Sequence, residues 1–127
     1  MSQSEHDIQN LIRLELSNRG YLCFRINVGK VQMLNGRWFS TGAPKGFSDL
    51  FGFRPDGQIF FIEVKHATGK VRKEQEKFIE LVKSKGAIAG IARTADEAVE
   101  LIETGTNKST KKIFENINQK NGTEEIK

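Results

Sequence analysis

The chain has 127 residues, a length typical of one domain with a single hydrophobic core. Hydrophobic and charged fractions of 37% and 28% are those of an ordinary globular protein, so composition alone names no function. One cysteine, Cys23, excludes an internal disulfide and a cysteine-rich zinc cluster. With no leader and no apolar run of about 20 residues, we expect a soluble, intracellular protein without a membrane partner. The net charge of +4 favours a polyanionic partner.

The first predicted elements are a helix from Glu5 to Arg19 and a strand from Tyr21 to Val28. The helix has an apolar stripe at a spacing of three and four residues, and Gly20 ends it. In the strand, every second residue is apolar, beginning at Leu22. We therefore expect a strand that buries one face.

Two acids of the first helix compete for a functional role. Glu5 and Gln9 lie four positions apart at the edge of the stripe, so both side chains could look over the end of a sheet. Glu15 lies nearer the centre of the stripe, which is unusual for an acid. Spacing leaves both acids open, and simple capping of the helix explains Glu5 equally well.

The segment from Arg25 to Ser48 contains no acid. Its cations are Arg25, Lys30, Arg37 and Lys45. A hairpin is predicted over 31–39, because Asn35-Gly36 favours a tight turn, and a glycine-rich loop follows. The hairpin suits a nucleic-acid backbone or a partner chain, and the loop suits a phosphate or a simple connection.

Two further strands, Asp49 to Arg54 and Gln58 to Lys65, are joined by Pro55-Asp56-Gly57. A type I turn followed by a left-handed glycine sets Asp49 opposite Glu63 in the hairpin. Paired residues share a face, so two carboxylates meet there and Lys65 joins them by alternation. A divalent cation would remove their repulsion. A salt bridge between Glu63 and Lys65 is the simpler alternative, but it leaves Asp49 unexplained.

The remaining predicted elements are a helix from Arg72 to Lys85, a strand from Ala87 to Ala92 and a helix that opens at Thr94. Gln75 lies in the first turn of the second helix, beside the end of the Glu63 strand. Lys70, Arg72 and Lys73 could hold phosphates, although such charges more often form a solvated face. We expect one domain over residues 1–105 and a polar tail over 106–127, partly disordered or forming one short helix.

Asp49, Glu63 and Lys65 suit magnesium-dependent chemistry on a phosphodiester. Magnesium prefers oxygen ligands, commonly one or two carboxylates with waters and a substrate phosphate. We expect Asp49 and Glu63 as ligands of Mg²⁺ or Mn²⁺, with the backbone carbonyl of Val64 as a third. Lys65 would hold the attacking water and stabilise the charge that develops on the phosphate.

The motifs occur in a specific order between Ser4 and Ile102. They are Glu5 with Ile8-Gln9, Asn27-Val28-Gly29, Gly46-Phe47-Ser48-Asp49, Glu63-Val64-Lys65, Gly69, Gln75 and Gly86. In this order they resemble the PD-(D/E)xK nuclease superfamily, and more narrowly its VRR-NUC family in the small stand-alone form of phages and bacteria. Ser48 stands where that family usually has proline, which concerns the shape of the loop more than the chemistry.

The resemblance implies an α/β fold with a restriction-endonuclease-like core, a mixed central β-sheet flanked by helices in the order αβββαβ. It implies that Asp49, Glu63 and Lys65 are the acidic dyad and the lysine. It also favours Glu5 over Glu15 as the acid of the first helix, and it makes Gln75 the glutamine of the motif.

The resemblance further implies a homodimeric, metal-dependent endonuclease that hydrolyses DNA, with a preference for branched DNA such as Holliday junctions. It would act in DNA repair or recombination in the bacterial cytoplasm, and its gene would belong to a bacterium or a phage. The basic residues that we expect at the DNA are Lys30, Arg37, Lys45, Lys70, Arg72 and Lys73. The alternative is a non-catalytic DNA-binding module that retains the nuclease fold.

Overall fold

The computed structural model describes residues 3–28, 30–40 and 42–115. The helices are α1 (Glu5–Asn18), α2 (Lys73–Ser84), α3 (Ala95–Thr104) and α4 (108–115). The strands are β1 (Leu22–Arg25), β2 (Lys30–Gln32), β3 (Trp38–Ser40), β4 (Leu50–Phe53), β5 (Ile59–Val64) and β6 (Ile88–Ala92). Within these described ranges, no helix is both long and apolar enough to cross a membrane.

The central sheet has four strands in the order β1-β4-β5-β6. β1 and β5 both pair antiparallel with β4, and β6 pairs parallel with β5 after the crossover through α2. β2 and β3 form a separate antiparallel hairpin between β1 and β4 in the chain. The predicted mixed sheet and the order αβββαβ are therefore confirmed, with the β2–β3 hairpin as an insertion.

Helices cover the two faces of the sheet unequally. α1 and α3 enclose the larger core on one face, and α2 and α4 enclose a smaller core over β5 and β6 on the other. The larger core contains Ile8, Ile12, Leu16, Leu50, Phe60, Ile62, Val64, Ala92, Ala98, Val99, Leu101 and Ile102. The smaller core is centred on Ile79, Ala89 and Ile91. The described residues leave the β1–β4 half of the second face partly open.

The edge strand β1 differs from the expectation in length and in the face that it buries. It spans four residues, and its exposed apolar side chains are Leu22 and Phe24, with 60% and 46% of their surface accessible. Tyr21 and Cys23 pack against the larger core instead. The cause is the position of the helices, because α2 does not extend over this edge of the sheet.

The turn between β4 and β5 has the predicted form. The N–H of Gly57 donates to the carbonyl of Arg54 at 2.9 Å, and the N–H of Arg54 donates to the carbonyl of Gln58 at 3.0 Å. Gly57 has a φ of +87°, the left-handed conformation that residues with a side chain rarely adopt. Three residues therefore close the hairpin, and this loop length fixes the register of the strands.

The described part of the C-terminal segment packs on the sheet. Asn107 and Thr110 are buried and hydrogen bond to the backbone of β6. Ile113 and Phe114 pack against the smaller core. The rest of the predicted tail, residues 116–127, lies outside the described residues.

Candidate active site

The site lies where β4 and β5 reach the same end of the sheet. The ladder pairs Leu50 with Ile62, so Asp49 and Glu63 stand at the next level, in the predicted register. Asp49 Oδ2 accepts a hydrogen bond of 2.9 Å from the backbone N–H of Val64. The carboxyl groups of Asp49 and Glu63, called the carboxylate pair below, lie close enough to share a hydrogen bond when one of them is protonated.

Three polar side chains of this site are almost completely buried. The accessible fractions are 2% for Glu63, 7% for Lys65 and 4% for Gln75. Glu63 Oε1 accepts a hydrogen bond of 2.8 Å from Gln75 Nε2 and lies 3.9 Å from Lys65 Nζ. Burying a carboxylate and an ammonium group is costly even when they are paired, so this cluster is unusual in a structural role alone.

Gln75 connects the start of α2 to the end of β5. Its Oε1 accepts a hydrogen bond of 2.9 Å from the backbone N–H of Arg72, the N-cap residue of α2. Its Nε2 donates to Glu63. Because the oxygen and the nitrogen each have a fixed partner, the amide holds the Glu63 carboxyl in one orientation.

The two carboxyl groups of the carboxylate pair repel each other when both are charged. Burial, the negative charge of Asp49 and the carboxyl–carboxyl hydrogen bond together raise the pKa of Glu63 to about 9. Lys65 acts in the opposite direction but does not offset them. Burial also raises the pKa of Asp49, although the Val64 N–H favours its charged form. At neutral pH and without a cation, the pair therefore holds a proton.

The donor set fits a small divalent cation. Glu63 Oε2 is buried and meets no N–H or O–H donor of the described residues while both carboxylates are ionised. Since the N–H and C=O of a strand residue point to the same side, the Val64 carbonyl points towards β4, as its N–H does. Within the described ranges, no three His, Cys, Asp or Glu side chains are placed so that they could hold a metal ion together. Two carboxylates and a carbonyl match the partial protein ligation that magnesium accepts.

Of the two acids of α1 that are candidates for a functional role, Glu5 lies at the carboxylate pair. Its negative charge raises the pKa of both members of the pair, and its Oε2 is 4.0 Å from His66 Nε2. Glu15 instead forms a 2.8 Å ion pair with Arg19 at the other end of the helix. The geometry therefore brings Glu5, and not Glu15, into the site.

Two buried polar side chains were not among the predicted site residues. Gln9 Oε1 and Ser48 Oγ have no hydrogen-bond partner in the described part of the chain. Gln9 lies one helical turn after Glu5, and Ser48 precedes Asp49. Buried polar atoms are normally satisfied, so both are candidates to contact a water, an ion or a substrate. The sequence signal for Gln9 is its spacing of four residues from Glu5 at the edge of the apolar stripe.

The glycine-rich loop and the start of α2 meet through Glu74. Lys45 and Arg72 share its Oε1, at 3.7 Å and 4.0 Å. Phe47 packs its ring against Phe61 and Phe78, with centroids 5.8 Å and 4.6 Å apart. These contacts hold Lys45 and Arg72, two of the predicted DNA-binding cations, beside the end of the glycine-rich loop that leads into Asp49.

The other predicted DNA-binding residues are more widely spread. Lys70 and Lys73 are exposed just before and at the start of α2, and Arg37 is exposed on the β2–β3 hairpin. No ion pair of these three occurs among the described residues. Lys30 begins β2, but its side chain lies outside the described part of the structure.

Comparisons with known proteins concern the family and the fold of the chain. A family model described as VRR-NUC domain matches residues 3–96. A solved structure titled "VRR_NUC domain" superposes with a TM-score of 0.58 at 23% identity, covering 80% of this chain and 98% of that chain. At this identity, the superposition shows a shared fold. A search of curated proteins found no match.

Proposed function

Because the chain belongs to the VRR-NUC family, whose domain is a nuclease-type DNA-binding fold, we propose that it is a metal-dependent endonuclease that hydrolyses DNA. The observation that carries the proposal is the buried cluster at the end of β5. There, the carboxylate pair, Lys65 and Gln75 converge within hydrogen-bonding or ion-pair distance. A cluster of this composition provides metal ligands and a cation at one phosphate-sized site.

Each residue has a distinct proposed role. Asp49 and Glu63, with the Val64 carbonyl, would hold Mg²⁺ or Mn²⁺. When bound, such an ion polarises a phosphoryl oxygen and lowers the pKa of water. The ammonium group of Lys65 would orient the attacking water and stabilise the negative charge that develops on the phosphate.

Gln75 and Glu5 would support this chemistry from two helices. Gln75 donates to Glu63 and would keep its carboxyl in one orientation when a cation binds. Glu5 adds a third carboxylate at the edge of the site, in position to bind a solvent molecule or to accept a proton. The exposed cations Arg37, Lys70 and Lys73 would contact the DNA backbone.

We also propose a homodimer that prefers branched DNA. The support for dimerisation is the apolar face of β1, where Leu22 and Phe24 are exposed beside Phe51. Exposed apolar edges of this kind are usually covered by another chain. A two-fold dimer would present two active sites, which suits a symmetric four-way junction in DNA repair or recombination.

A substrate panel tests the proposal. The full chain is incubated with a four-way junction, a flap and a linear duplex, in Mg²⁺, in Mn²⁺ and in EDTA. We expect cleavage in either metal, fastest on the junction, and none in EDTA. Absence of metal-dependent cleavage of all three would overturn it. DNA binding without cleavage would instead support the non-catalytic module.

A further inference from the structure

Outside the active site, a cationic region lies beyond the end of β5, on the side of the sheet that carries α4. It is an open cleft of about 590 Å³ between the loop that follows Lys65 and the first turns of α4. Its charged lining residues are Lys70, Arg93, Lys108, Lys112 and Glu76. Four cations thus face one acid, and we call this region the α4 cleft.

The wall of the α4 cleft nearest to the active site is held rigidly. Arg93 Nη1 donates to the carbonyls of His66 and Gly69, at 2.7 Å and 2.8 Å. The backbone N–H of Lys65 donates to the carbonyl of Ala92 at 3.1 Å. The guanidinium group of Arg93 therefore fixes the loop, and the bond between Lys65 and Ala92 fixes Arg93 beside the end of β5.

The opposite wall, α4, is fixed to β6 by buried polar side chains. Asn107 Nδ2 donates to the carbonyl of Ile91 at 2.7 Å, and the N–H of Ile91 donates to Thr110 Oγ1 at 3.0 Å. A Cβ atom at Gly90 would lie 2.4 Å from Thr110 Oγ1, so only glycine allows this close approach. The docking holds Lys108 and Lys112, one turn apart, at the cleft.

The three lysines of the cleft have acids nearby, Glu76 in the cleft and Glu100 and Glu115 on the outer side of α4, but they are not paired with them. Lys70, Lys108 and Lys112 form no ion pair within the described residues. The carboxylate of Glu97 bonds to the backbone N–H of Arg93 and to the hydroxyl of Ser109, so both of its oxygens are engaged. Cations that outnumber the acids of the cleft and project from a backbone fixed by hydrogen bonds are complementary to phosphates.

We propose that the α4 cleft binds the phosphodiester backbone of the same DNA whose scissile phosphate lies at the carboxylate pair. The proposal rests on the proposed function and extends it to α4, which lies outside the matched residues 3–96. Lys70 is five residues after Lys65, at most about 17 Å along the chain. At about 3.4 Å per base pair, this span places Lys70 within about five base pairs of the cut.

The salt dependence of DNA binding tests the proposal directly. The affinity of the full chain for a fluorescent duplex is measured in EDTA between 50 and 200 mM KCl. Each phosphate contact contributes about 0.9 to the slope of log K against log [salt]. We expect the double variant Lys108→Gln/Lys112→Gln to lower the slope by about 1.8, so that it loses about 12-fold less affinity across this range.

The matched control is Lys77→Gln/Lys85→Gln, which removes the same charge from exposed positions of α2 and its C-cap, outside the cleft. We expect an unchanged slope. If both double variants have the same slope of log K against log [salt], or if neither slope changes, the proposed role of the α4 cleft is overturned. Thermal unfolding checks that each variant folds.

If the unmodified chain binds and cleaves DNA while the two slopes are equal, only the proposal for the α4 cleft is wrong. If the unmodified chain neither binds nor cleaves DNA, the proposed function fails.

Discussion

Glu63 is a buried carboxyl group beside a second carboxyl group, an arrangement that opposes folding whenever both are charged. Its pKa is raised to about 9 by burial and by Asp49, against an ordinary value of 4.5. An ion pair with Lys65 at 3.9 Å reduces this cost but does not remove it. Functional sites often retain such destabilising groups because their chemistry requires them.

The raised pKa predicts how stability depends on pH without metal. The folded protein holds the Glu63 proton more tightly than the unfolded chain. The associated stability is therefore complete below about pH 4.5 and is lost as pH rises through about 9, by at most about 1.4 kcal/mol per pH unit. We expect the Tm in EDTA to fall from pH 5 to pH 9.

Glu63→Gln removes the titrating group and should flatten this profile. The measurement is thermal unfolding followed by circular dichroism at several pH values. Glu80→Gln, a change at an exposed acid of α2, is the control and should keep the original profile. A profile that is equally steep in Glu63→Gln would show that Glu63 is not the responsible group.

At the level of single residues, the sequence predicts part of the site. The turn residues Pro55-Asp56-Gly57 specify a loop length, and this length sets Asp49 against Glu63. Spacing places Gln9 at the same helix edge as Glu5, but it cannot show that Gln9 or Ser48 keeps a buried polar atom without a partner. Their candidacy depends on burial without a partner, which is a property of the packed structure and not of spacing.

Among the elements, α2 and β5 are linked at the site by Gln75. Gln75→Ala removes the hydrogen bond to Glu63 and the bond that caps α2. We expect the free energy of unfolding to fall by about 1–3 kcal/mol, since a buried carboxyl oxygen loses its donor. Denaturant unfolding measures this change. Lys77→Ala, on the exposed side of α2, should change it by less than about 0.5 kcal/mol; equal losses would contradict the role of Gln75.

The elements also show where a sequence pattern is insufficient. Alternation correctly predicts that β1 has an apolar face, but which face is covered depends on helices that are remote in the chain. Similarly, the polar composition around α4 indicates a tail. Its docking depends on the absence of a side chain at Gly90 and on buried bonds from Asn107 and Thr110.

For the whole molecule, the open half of the sheet predicts the assembly state. We expect the unmodified chain to be a dimer in light scattering coupled to size-exclusion chromatography. Leu22→Glu/Phe24→Glu places charges on the exposed apolar face of β1 and should yield monomers. Leu81→Glu, at an exposed leucine of α2, should remain dimeric. A monomeric unmodified chain, or a dimer that survives the double change, would exclude this interface.

The most direct test of the account is single-turnover cleavage of a four-way junction in Mg²⁺ by the unmodified chain and by Asp49→Asn. The variant retains the shape of the side chain and loses the charge that would bind the cation. We expect its rate to fall by about 10³-fold, because a bound metal contributes several kcal/mol, while junction affinity changes little. An Asp49→Asn variant that cleaves at the rate of the unmodified chain would contradict the assignment of the carboxylate pair as the catalytic metal site.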